Sequence, residues 1–221
     1  MNPSSKFAEG NNPRSGSAQQ FGAFASLDIG SPLLAGFATS TAGGWDITAG
    51  GADIWEKSDQ FHFVFQEIAG DFEVAVRVES FTPARLYSKA GLMLRESLEA
   101  DSAHLMFVLF ADDQPRNNNL GAHELQFRGV AGGDCQAVYP AVRPPAPPEF
   151  PAALPNSWLR VTRQQDLFTA SASTDGKNWK VYARQSLALA GTLKVGPALT
   201  SHHPESLARA AFRNYAASNQ V

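Results

Sequence analysis

Residues 61–79 alternate between two faces in two successive runs. Phe61, Phe63 and Phe65 oppose His62, Val64 and Gln66, and then Phe72, Val74, Val76 and Val78 oppose Glu73, Ala75, Arg77 and Glu79. A period of two in Phe- and Val-rich segments specifies strands with one buried face, because successive side chains on a strand point to opposite sides. Gly70-Asp71 between the runs supplies a turn: glycine takes positive φ, and aspartate bonds back to its own backbone. The expectation is an antiparallel hairpin with its Phe/Val face in the core and a second face carrying a histidine and charges.

The rest of the chain has the same texture. Short apolar or alternating runs occur at Phe21–Ile29, Gly44–Thr48, Ala90–Arg95 and His123–Gly129, then at Trp158–Arg163, Leu167–Ser173, Asn178–Arg184, Leu193–Thr200 and Arg209–Tyr215. Ala103–Ala111 (AHLMFVLFA) is nearly all apolar and too short for a core helix, which suits a central strand covered on both faces. About ten to twelve strands, with turn signals every 8–15 residues and no long helical pattern, predict an all-β, antiparallel two-sheet sandwich or jelly roll. At 221 residues one such domain accounts for the chain, expected at 21–217. Residues 1–20 have the polar composition of a flexible tail. Residues 140–155 carry half of the 14 prolines and predict an extended surface insertion.

Several function classes are disfavoured. A net charge of −3 with no basic cluster argues against nucleic acid. No apolar run approaches the ~18 residues that cross a bilayer, so no membrane insertion is expected. The first twenty residues lack an apolar signal core, and the location expected on that basis is cytoplasmic. Cys135 is the single cysteine, which excludes an internal disulfide framework and suits a small buried or loop residue better than a nucleophile. The Gly-rich stretch 30–51 contains neither G-x-G-x-x-G nor G-K-[ST], so it reads as tight corners of a β fold.

Five blocks together carry a resemblance: ADIWEKSDQFHFVFQ with GDFEVAVRVES, SKAGLMLRESLEADSAH at 88–104, ELQFRG at 124–129, WLRVTRQQDLFTASASTDGKNW at 158–179, and the ending GPALTSHHPESLARAAFRNY. In this order, over about residues 25–216, they resemble the DUF1349 family of concanavalin A-like (LamG-like) jelly rolls. The N-terminal tail and the Pro-rich insertion depart from it. The resemblance implies a two-sheet jelly roll of a kind often found in or beside carbohydrate-active proteins, without implying a fixed activity.

Glycoside hydrolysis needs a protonated and an ionised carboxyl held about 5–10 Å apart. The superfamily's glucanases carry Glu-x-Asp-x-x-Glu on one strand. The nearest string here, Glu99-Ala100-Asp101-Ser102-Ala103-His104, ends in histidine and falls in a polar loop. Glu73 and Glu79 share a face but stand six residues, roughly 20 Å, apart. Glu73 could still meet Glu124 or Glu96 across strands, which keeps a glycoside hydrolase or lyase as the alternative, and no catalytic residue is assigned. The favoured reading is a non-catalytic carbohydrate-binding or interaction module. Its ligand-binding candidates are one polar sheet face of His62, Glu73, Arg77, Arg95, His104, Glu124, Gln126 and Arg128, together with Trp55. The competing explanations are cross-strand ion pairs for the arginines, a satisfied buried histidine for His62, and a core wedge for Trp55. Trp158 and Trp179 follow the alternation and are expected in the core. Asp53, Asp59 and Asp71 offer oxygen ligands for Ca²⁺ but miss the EF-hand spacing, and adjacent His202 and His203 point apart on a strand, so no metal site is assigned. Ser173–Trp179 (STDGKNW) resembles a single Asp-box turn, whose chemistry is structural. The partners implied are an oligosaccharide, or a protein engaging the tail and the Pro-rich loop as a regulatory or structural subunit.

Overall fold

A computed structural model describes residues 18–116, 121–139 and 148–219. Among these residues there are seventeen strands and no helix. The first are β1 (Gln19–Phe21), β2 (Phe24–Ile29), β3 (Phe37–Thr41), β4 (Gly44–Ala49), β5 (Ile54–Trp55) and β6 (Ser58–Asp59). The middle supplies β7 (Phe61–Ala69), β8 (Phe72–Thr82), β9 (Lys89–Arg95), β10 (His104–Leu109), β11 (His123–Arg128) and β12 (Gln136–Val138). The end adds β13 (Ser157–Gln164), β14 (Leu167–Ser173), β15 (Lys180–Ser186), β16 (Thr192–Thr200) and β17 (Ala208–Asn219).

Two large antiparallel sheets form a sandwich. One has eight strands in the order β1-β2-β7-β16-β9-β10-β11-β12, the other seven in the order β15-β14-β13-β8-β17-β4-β3. The main core lies between them. Val64, Leu92, Leu94, Leu105, Phe107 and Leu125 come from the eight-stranded sheet, and Phe72, Val74, Val76, Val78, Leu159 and Phe212 from its partner. Each such side chain contributes roughly 1.5–3 kcal/mol by leaving water. Two further strands, β5 and β6, form a short ribbon outside the sandwich.

The expected hairpin is an arch instead. β7 pairs with β2 and β16, while β8 pairs with β13 and β17 in the opposite sheet. Gly70 does take φ of 73°, but its N–H donates to Gly191 O, and Asp71 Oδ1 accepts from the Gln165 N–H, so the connection is tied to its neighbours as it crosses the core. Alternation appears in paired strands and in strands stacked across a core alike, because in both arrangements each strand turns one face inward.

The faces of β7 also reverse. Val64 and Ile68 enter the sandwich core, whereas Phe61, Phe63 and Phe65 point outward into a second apolar cluster with Ile29, Ile54, Met93, Met106, Val108 and Phe110. Both faces are covered. Trp158 and Trp179 are not core residues. Leu159 and Val161 take the inward positions of β13, which leaves Trp158 on the outer face of the seven-stranded sheet, half-buried and edge-to-face with Trp179 at 6.4 Å. Strand β1 begins at Gln19, inside the segment expected as tail; residues 1–17 lie outside the described residues. So do residues 140–147 of the Pro-rich stretch. Beyond them Phe150 is buried and accepts a hydrogen bond from His123 Nδ1, which anchors this segment to the sandwich.

Candidate functional site

The polar residues expected on one face occupy four places. Glu73 and Arg77 lie on the outer face of the seven-stranded sheet. Arg77 donates to Glu79 Oε1 at 2.8 Å, and Arg160 stands 3.7 Å from Glu73 Oε2, so these groups neutralise one another along and across the strands. Glu73 is therefore separated by the whole sandwich from Glu124, so that dispersed acid pair does not form, and Glu96 instead accepts the Ala190 N–H.

His62 lies on the same side of β7 as Val64. Its Nδ1 meets Asp28 Oδ1 at 2.8 Å and its Nε2 meets Ser26 Oγ at 2.7 Å, while Asp28 also accepts the Gly36 N–H. Any Cβ at Gly36 would come within 2.7 Å of both Asp28 Oδ1 and His62 Nδ1, so the loop closes directly over the pair. His62 is a satisfied structural histidine.

Arg95, His104 and Arg128 do share the outer face of the eight-stranded sheet, side by side in register. There they surround a buried anion from outside the sheet. Asp59 Oδ2 accepts from Arg95 Nη1 at 3.2 Å and Arg128 Nη1 at 2.9 Å, and Asp59 Oδ1 accepts from Arg128 Nη2 at 2.7 Å, all three side chains being fully buried. The remaining guanidinium donors go to the carbonyls of Trp55, Glu56, Ser97, Glu99, Ser102 and Gly133. Burial lowers the His104 pKa to about 4, and Asp59 only partly opposes it, so this ring is neutral at neutral pH. This cluster fastens the Ile54–Asp59 ribbon across the sheet as a strap, and its polar groups are consumed in doing so.

The fourth place is the other end of the same face, where Glu124 and Gln126 project from β11 and Lys89 from β9. Lys89 Nζ donates to Asp53 Oδ1 at 2.7 Å and to Ile54 O at 2.9 Å, and it lies 5.4 Å from the centre of the Trp55 ring. His202 Nε2 stands 3.4 Å from Asp53 Oδ2, and its ring is 5.4 Å from that of Tyr87. Glu124 accepts from Gln126 Nε2 and bonds the Tyr139 hydroxyl. Lys89, Glu124 and Gln126 are buried; Asp53, Trp55, Tyr87, Tyr139 and His202 are part-exposed and ring them. Gln126 Oε1 is a buried acceptor with no hydrogen-bond partner among the described residues.

The two carboxyls here are set apart. Burial pushes Glu124 above the usual carboxylate range despite Lys89, Gln126 and Tyr139. Burial acts the same way on Asp53, but hydrogen bonds from His202 and Lys89 outweigh it and hold that carboxyl below its ordinary value. Burial also pushes the Tyr139 phenol up, with Glu124 adding to it.

Of the expected candidates, Trp55, Glu124 and Gln126 meet here. Trp55 is a part-exposed ring packed on a cation, not a core wedge. Lys89, Tyr87 and Tyr139 were missed. The alternation of β9 places Lys89 on the face of Arg95 and was available as a signal, whereas nothing in the sequence brings Tyr139 to Glu124. Asp53, Asp59 and Asp71 do not converge, since Asp59 is held by arginines and Asp71 by a turn amide; among the described residues no group of three or more His, Cys, Asp or Glu is placed to hold a metal. At the Asp-box-like turn, Asp175 Oδ1 accepts the Lys177 and Asn178 amides and Trp158 lies under Gly176, the expected structural chemistry.

No family model and no curated protein sequence matches the chain. Solved structures do. A functionally unknown protein from Saccharomyces cerevisiae is similar with a TM-score of 0.59 and 18% identity, over 95% of each chain. Carbohydrate binding module CBM66 from Bacillus subtilis is similar with a TM-score of 0.54 and 12% identity, over 89% of this chain and 96% of that one. A xylan β-1,4-xylosidase from Bacillus halodurans C-125 is matched with a TM-score of 0.55 and 15% identity, over 96% of this chain but only 40% of the larger protein. Identities this low speak for the architecture alone, the antiparallel two-sheet jelly-roll sandwich.

Proposed function

We propose that the chain is a non-catalytic carbohydrate-binding module whose ligand sits at the Trp55–Glu124 end of the eight-stranded sheet. The observation that carries this reading is the mixed site itself: part-exposed Trp55, Tyr87, Tyr139 and His202 around buried Lys89, Glu124 and Gln126. A sugar ring offers C–H faces to aromatic rings and hydroxyls to carboxyl and amide acceptors, and recognition sites of this kind are apolar-lined with a few placed polar groups. Lys89 and Asp53 offset each other, which suits an uncharged ligand. The similarity to a carbohydrate-binding module supports the reading at the level of the fold. Screening the protein on a glycan array, then titrating hits into wild type and Trp55→Ala, tests it. Binding that is lost in Trp55→Ala with the fold intact supports the site, and retention of no sugar rejects the reading.

The opposed shifts of Asp53 and Glu124 favour one second reading, a glycoside hydrolase with Glu124 as acid. Turnover of an aryl glycoside panel that disappears in Glu124→Gln would replace the first reading with this one.

A further inference from the structure

Resting on the carbohydrate-binding reading, we infer that the site takes the end of a saccharide chain, an uncharged terminal residue, and cannot take an internal stretch laid across the sheet. An open sheet face would accommodate several sugar units in a row along or across its strands. Here the middle of the face is closed, which leaves its Lys89–Glu124 end and, at the opposite corner, an exposed Glu67–Lys194 ion pair without aromatic neighbours. Phe61, Phe63, Met93, Met106 and Ala198 project outward from four adjacent strands, yet each is fully buried.

The cover is the chain itself. Ile54 of the strap and Leu98 and Ala100 of the loop before β10 pack on these residues. The strap is fixed at several points. Asp59 is clamped by Arg95 and Arg128, Asp59 N–H donates to Ala100 O, and Glu56 O accepts from Arg128 and from the Cys135 N–H. Glu56 sits at φ of 46°, a costly turn for a non-glycine residue, held in place by those bonds. Moving the strap aside would leave two buried guanidinium groups without their anion, so the cover is not a lid that a ligand could lift.

The ligand end is the one where Lys89 and Glu124 project, with Trp55 of the strap 5.4 Å from Lys89 Nζ. A chain entering there runs up against the strap. The Lys89–Asp53 pair matches charge with charge, so the terminal residue it accepts carries none.

Titration calorimetry with gluco-, xylo-, manno- and galacto-oligosaccharides of one to six residues, and with cyclodextrin and cyclic β-glucan as chains without ends, tests the inference. For the sugar that binds, affinity is expected to level off at one or two residues, the cyclic chain of the same linkage to bind at least about tenfold more weakly, and Trp55→Ala to weaken the short ligands about tenfold. Lys57→Ala, exposed on the outer surface of the strap, is expected to leave saccharide affinity unchanged, because no sugar passes over it. Affinity that climbs steadily to six residues, equal binding of cyclic chains, or a loss at Lys57 would overturn end-recognition while leaving carbohydrate binding standing. Failure of the whole panel, with the protein folded, would overturn both.

Discussion

Arg128 Nη2 donates to Asp59 Oδ1 at 2.7 Å with both side chains fully buried, and this contact joins the strap to the sheet it crosses. The local charge does not balance: Arg95 and Arg128 face one carboxylate, with His104 neutral beside them. Removing that carboxylate leaves two desolvated cations. Asp59→Asn is therefore expected to destabilise the fold by about 3–5 kcal/mol, far more than an exposed carboxylate would cost. Urea denaturation followed by tryptophan fluorescence reads the loss. A cost below about 1 kcal/mol would mean that solvent reaches the cluster.

Acid should weaken the protein through two histidines. Burial lowers His104 and His123 to about 4, so in the folded state both stay neutral at pH values where the unfolded chain, near 6.5, has already taken up protons. Between pH 6.5 and 4 the unfolded state binds more protons, and stability falls as pH falls, by roughly 1.4 kcal/mol per pH unit for each ring at most. Above pH 6.5 this contribution is complete and flat. Denaturation midpoints from pH 4 to 8 check the slope, and His104→Gln should reduce it.

Much of the architecture was legible because one-sided burial writes itself into a strand as alternation. The Phe72–Val78 run of β8 is a core face, as its pattern implies. The pattern has no information on which strands are neighbours, so the Gly70-Asp71 arch looked like a hairpin. It also misled at Phe61–Phe65, where the strap covers the outer face and both sides of β7 are apolar. The candidate site was legible only in part. Glu124, Gln126, Arg95, His104 and Arg128 were rightly grouped on one face by strand period, but Asp59, which consumes three of them, arrives from a two-residue strand whose destination no local pattern encodes.

The thiol of Cys135 offers a check on how tightly the strap and its neighbours close. Burial pushes it up to about 12, and its Sγ lies 3.9 Å from His104 Nε2 beneath the strap end. Since the thiolate is the reacting species, Cys135 is expected to resist Ellman's reagent in the native protein at pH 8 and to react fully in 6 M guanidinium. Rapid native labelling would show that the strap opens.

Glu124 is where stability and binding should conflict. Its buried carboxyl titrates above the ordinary range, so at pH 8 the folded state holds an ionised group in surroundings that disfavour it. A raised folded pKa means the folded state keeps a proton that the unfolded chain has released, and stability from this group is gained as pH falls through that window. Glu124→Gln preserves shape and hydrogen-bonding reach while removing the charge. The variant is expected to melt higher than wild type at pH 8, with the gap closing toward pH 4.5, where wild-type Glu124 is protonated too. The same variant should lose saccharide affinity, since one of the site's two carboxyl acceptors becomes half amide donor. Melting curves at the two pH values, set beside calorimetric titration of the sugar that binds, separate the two effects. A variant less stable at pH 8 would show that Lys89 and Tyr139 more than offset the burial of this charge, and that the site is held by Glu124 instead of strained by it.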